Sequence, residues 1–333
     1  MLTDREILLA SALPMLVAAA LALLAYWRRR PWPAPLAAAA GFALAYAAQF
    51  ARPPRQLALP TLPPHDGTDW LFWVAIPLAI VGIAAACARR GWVVIAGLTA
   101  GGVAYLLLWP VVKSGAVPHS TALSDASIIA VAGVATVFAS RFAAARLGGV
   151  WVVAALSIAT GGTGVLILAS GMKDVGLHGM AAGAAILGAA IAALPRRGLG
   201  ALPDAAVRSV QAGAERTGFA RSAAPDSLPE NGSRTPSSPD RAATGVAVVA
   251  TGIAAALIAA GRGYADPTLP WSAAGVILAS PLLLVIGAFI PSRRRWIPGL
   301  IALLAVALTV ASIAAPAAAK AKRDAEAAKE WGY

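Results

Sequence analysis

Residues 69–113 read DWLFWVAIPLAIVGIAAACARRGWVVIAGLTAGGVAYLLLWPVVK. Two apolar runs, 70–88 and 91–112, meet at Arg89–Arg90. A hydrocarbon core about 30 Å thick needs about 20 apolar residues in a helix to cross it. Backbone groups in lipid must pair within their own segment, so a run of this kind is helical. The stretch therefore predicts two membrane-crossing helices joined by a short basic turn.

Working outward, eight further stretches share this character: 7–26, 34–50, 124–141, 149–170, 175–194, 243–261, 271–290 and 296–316. Composition agrees. Residues of the hydrophobic set make up 59% of the 333 and charged residues only 13%, against about 25% charged in a soluble domain. The expected fold class is all-α, a polytopic integral membrane bundle of about ten transmembrane helices. The first stretch follows Asp4, Arg5 and Glu6, which are not net positive, and precedes Arg28–Arg29–Arg30. It is read as a retained span.

Orientation follows from Lys and Arg in the short loops. Basic clusters follow every odd-numbered span: Arg28 to Arg30, Arg89–Arg90, Arg141 with Arg146, Arg196–Arg197, and Arg293 to Arg295. Placed in the cytoplasm, they put both termini outside, most simply across the cell membrane. The inner side then holds 17 basic and 5 acidic residues, the outer side 10 of each. The net charge of +12 is thus an orientation signal and not a nucleic-acid surface. The expected partner is the lipid bilayer, with anionic lipid meeting the cytoplasmic Arg clusters. Nine of the ten tryptophans fall near predicted interfaces, where such rings settle at headgroup depth.

The spans group as 1–194, carrying seven, and 243–316, carrying three, with a cytoplasmic linker at 195–242 between them. The later part of that linker, rich in Ser, Pro and Asn, lacks the apolar surface to fold. Residues 317–333 form a charged, Ala-rich tail in which Lys320–Asp324 and Lys322–Glu326 have i,i+4 spacing, suited to a projecting helix. Its basic residues would prefer the cytoplasm, although parity puts it outside. Internal similarity is also visible. GWVVIAGLTAGG (91–102) matches VWVVAALSIATGG (150–162) with one insertion, and each unit is preceded by a His and a Ser/Thr-Asp pair. This points to repeated two-helix hairpins.

Chemistry-bearing residues are few. The central part of every span lacks Asp, Glu, Lys, Arg and His, which argues against a proton-relay pump, a voltage sensor or an ion-pair antiporter. There is no phosphate loop, metal-ligand spacing or nucleophile motif, and one cysteine, Cys87, excludes an internal disulfide. No cofactor, metal or catalytic residue is assigned. Two groups are candidates for facing a substrate. At the predicted outer face, His65, His119 and His178 gather with Asp69 and Asp125; the sharper reading is a metal or acid-base site. The plainer one has Asp69 and Asp125 opening helices, where a carboxylate accepts orphan N–H groups. Within the bilayer, Thr160, Gly161, Gly162 and Thr163 lie in the sixth span, and Gly101 and Gly102 in the fourth. Clustered glycines can mark a broken, substrate-binding helix, but close helix packing is the leading account. Pro14, Pro77 and Pro281 are kink sites.

The leading expectation is a structural or accessory membrane protein with no catalytic centre of its own. A transporter or channel for a small neutral or weakly polar solute is the alternative, and an outer-face His/Asp enzyme comes third.

Overall fold

Each long apolar run becomes a helix, because only helical backbone satisfies its own polar groups away from water. The computed structural model describes residues 4–28, 30–50, 69–87, 92–194, 238–265, 269–292 and 296–330. Its helices are α1 (Asp4–Arg28), α2 (Pro33–Phe50), α3 (Asp69–Cys87), α4 (Trp92–Lys113), α5 (His119–Leu147), α6 (Gly149–Ala169) and α7 (Lys173–Ala189), the last followed by a short 3-10 turn. Then come α8 (Ser238–Gly263), α9 (Trp271–Ala279), a 3-10 turn at Ser280–Leu282, α10 (Leu283–Ala288) and α11 (Trp296–Glu330). Among the described residues every regular element is helical. Among the described residues, eight segments are long and apolar enough to cross a membrane, with α9 and α10 together forming one of them. The apolar stretches in α1 and α2, Ser11–Leu24 and Pro33–Leu44, are shorter than that. The chain is an all-α, multi-pass membrane bundle.

The helices on either side of residues 195–236 build one compact unit. The linker predicted at 195–242 lies outside the described residues as far as 237, and α8 begins inside it, at Ser238. At the other end, the last span and the tail form one helix of 35 residues. At 1.5 Å per residue it is about 52 Å long, more than a bilayer core needs. Lys322 and Glu326 pair in its tail portion at 3.9 Å.

α8 is the axis. Its apolar length is 94% buried, wrapped by α2, α3, α4, α5, α6 and α7. The reason is compositional: the sequence AATGVAVVATGIAAALIAAG is small on every face, so neighbours approach from all sides. Two other pairings are set by glycine. At the crossing of α6 and α7, a Cβ built on Gly164 would lie 2.5 Å from the Met180 nitrogen, and one on Gly183 would lie 2.8 Å from the Gly161 Cα. Ser157 adds a bond from its hydroxyl to the Gly183 carbonyl at 2.7 Å. Gly97 and Gly101 do the same for α4 against Ala130 and Ala126 of α5. The glycine pairs matched in the sequence therefore meet different neighbours. Gly101 seats on α5 while Gly102 has nothing within 4 Å; Gly161 faces α7 while Gly162 meets Val310 of α11.

Candidate functional site

Two polar groupings are built into this apolar frame. The first joins α5, α8 and α9 at the end of the bundle where α5 begins. Asp125 was expected to open a helix, but α5 starts at His119, so Asp125 lies in the second turn and is only 6% exposed. It caps nothing. Instead it meets Arg262, in the last turn of α8, whose Nε donates to Oδ2 at 2.6 Å and whose Nη2 reaches Oδ1 at 3.4 Å. The Trp271 Nε1 donates to Oδ1 at 3.0 Å, and the Arg262 Nη1 donates to the Leu269 carbonyl at 3.0 Å. The guanidinium also lies 4.6 Å from the centre of the Trp271 ring, a cation–π contact. Nearby, the Tyr264 hydroxyl donates to the Leu107 carbonyl of α4 at 2.9 Å. Both carboxylate oxygens of Asp125 have partners, and the group links α5, α8 and α9.

The histidines have separate surroundings. His119 is exposed, with its Nε2 2.9 Å from the Tyr105 hydroxyl. His178 is buried in α7, stacked on Tyr46 with ring centres 4.3 Å apart. His65 lies outside the described residues, and Asp69 is the first residue of α3. Among the described residues no group of three metal-binding side chains occurs.

The second grouping is at mid-span. α6 runs unbroken through Thr160–Gly161–Gly162–Thr163, with Gly161 toward Gly183 and Gly162 against Val310. The interruption lies across from them, at Ser280–Leu282, where Pro281 offers no N–H and its ring disturbs the preceding turn. Pro14 and Pro77, by contrast, sit inside unbroken helices. Beside the break, Thr136 of α5, Thr160 and Thr163 of α6 and Thr251 of α8 line a cavity of about 10 Å³, the scale of one water. Each of the four is less than 5% exposed. Thr163 donates to the Ala159 carbonyl at 3.0 Å, and Ser280 to the Ile277 carbonyl at 2.8 Å. Thr136 reaches the Leu278 carbonyl at 3.4 Å, long for a hydroxyl donor. The buried Thr251 hydroxyl has no partner among the described residues.

Of the residues singled out in sequence, Thr160 and Thr163 thus meet at a polar site, while Gly161, Gly162 and Gly101 are contact points between helices. Sequence reasoning missed Thr136, Thr251 and Arg262. A threonine in an apolar run carries no signal of its own, and Arg262 stood among loop charges 137 residues from its partner. The chain matches no protein-family model, no curated protein and no solved structure at a significant level.

Proposed function

We propose that the chain is a membrane-embedded scaffold, structural or accessory, with no catalytic centre of its own. One observation carries this reading: the axis of the bundle is solid. Where a carrier or channel would open a polar path, α8 is enclosed over nearly its whole apolar length by alanine, valine and leucine. The ion pair of Asp125 and Arg262 fits the same role, since it ties three helices together and leaves neither oxygen free. We place the Arg-flanked ends in the cytoplasm and both termini outside, across the cell membrane. Nucleic acid has no part in this reading.

A second reading has its own observation. Four threonines beside an interrupted helix are the local equipment for passing a small neutral or weakly polar solute. Reconstituting the purified full chain into vesicles separates the two. A scaffold gives swelling rates in glycerol, urea or erythritol equal to those of protein-free vesicles. Faster swelling that falls in Thr160→Val or Thr251→Val would replace the scaffold by the solute path. The scaffold also predicts a membrane partner isolated with the chain from native membranes in fixed stoichiometry. A monomer free of partners under mild extraction counts against it.

A further inference from the structure

On the lipid-facing side of the helix break, α5 and α10 enclose an apolar groove of about 600 Å³, within the roughly 300–1,000 Å³ of small-molecule sites. Ala135 and Ala139 of α5 leave it open. Phe138 and Phe142 border it on one side, Ile286 and Phe289 on the other. Phe138, Ile286 and Phe289 are each more than 60% exposed on the outside of the helical bundle.

The groove has a length and a charged end. From Ala135 to Arg146 the helix rises about 16 Å, half of a core about 30 Å thick. It therefore runs from mid-membrane to one interface, the depth of a single leaflet. At the interface, the Arg146 guanidinium carbon lies 4.8 Å from the centre of the Phe142 ring and 5.1 Å from that of Phe289. Two groove side chains thus hold the cation at its mouth. Among the described residues no carboxylate takes its N–H groups.

We propose that this groove is a binding site for one anionic phospholipid, with an acyl chain along Ala135 and Ala139 and the phosphate on Arg146. The chain would cover the exposed aromatic rings, and the phosphate would accept the N–H donors that the rings leave free. A zwitterionic lipid fits the groove equally well but gains less at its mouth, because its own cation competes with Arg146. The site therefore selects by headgroup charge and binds by chain.

The test uses the full-length chain, delipidated in detergent and titrated with phosphatidylglycerol and phosphatidylcholine of identical chains, bound lipid being counted by native mass spectrometry. One phosphatidylglycerol per chain should bind at least about fivefold more tightly than phosphatidylcholine, the effect of one basic residue near a charged headgroup. Arg146→Gln should abolish that preference, weakening phosphatidylglycerol far more than phosphatidylcholine. Ile286→Trp, at an exposed position where folding is not at stake, should weaken both lipids. Arg197→Gln, a basic change elsewhere in the sequence, should alter neither. Glycerol 3-phosphate, with the charge but no chain, should not compete. Equal affinity for the two lipids overturns the proposal, and so does equal loss in Arg146→Gln and Arg197→Gln. Competition by glycerol 3-phosphate would reduce the site to a phosphate contact and overturn it as well.

Discussion

Asp125 shows how burial changes the meaning of a carboxylate. At a helix start it would be one acceptor among waters. In the second turn of α5, beside Arg262 and Trp271, it accepts three hydrogen bonds. Removing one partner of a buried pair strands the other and costs about 3 kcal/mol. Asp125→Asn and Arg262→Gln should each lower the melting midpoint in detergent by several degrees. Their double variant should lose less than the sum, because the two act through one interaction. Additive losses would show that the side chains act separately. Thr251 behaves in the opposite sense. Its hydroxyl is buried without a partner among the described residues, at a cost of about 1–3 kcal/mol. Thr251→Val should therefore raise the midpoint in the same assay, and a fall would show that the hydroxyl has a bonded occupant.

At the scale of elements, the contrast is between glycines that pack and a proline that interrupts. A methyl on Gly164 would enter the backbone of α7, and the crossing of α6 and α7 has no flexible side chain there to move aside. Gly164→Ala should cost about 1–3 kcal/mol by overpacking. Gly102→Ala, facing open space, should be neutral or gain up to about 1 kcal/mol from helix propensity. Comparing midpoints of the two variants checks this directly; similar losses would mean that the glycines matter for some reason other than the crossing. The spans themselves were legible in the sequence, because run length alone decides a membrane helix. Pro281 was legible as a kink for the same local reason. The threonine cavity was not, since it is assembled from three helices and a break that no single stretch of sequence contains. Asp125 was misplaced because the rule for helix starts favoured Ser124–Asp125, while the apolar run gave no sign that α5 begins at His119.

For the whole molecule, the charge asymmetry and the helix count make one claim together. Three spans separate the 195–242 loop from the C-terminus: α8, the interrupted α9 and α10, and α11. Three crossings would put Tyr333 on the opposite face from the loop, whatever the first seven do. The difficulty is Lys320, Lys322 and Arg323, which the positive-inside rule would keep in the cytoplasm. Two features reduce their weight. They continue α11 beyond Pro316 as helix, and Lys322 meets Glu326 on the same face. The tail from 317 to 333 holds four basic and three acidic residues, whereas Arg293 to Arg295 stand at the other end of the same helix with no acidic residue among them. The stronger signal lies at the start of α11, the end that the proposed orientation puts in the cytoplasm. Reporter fusions within 225–240 and after Tyr333 should therefore give opposite readings, the first cytoplasmic and the second external. Matching readings would mean that one of the last three helices does not cross, and the interrupted pair, α9 with α10, is then the segment to remove from the count.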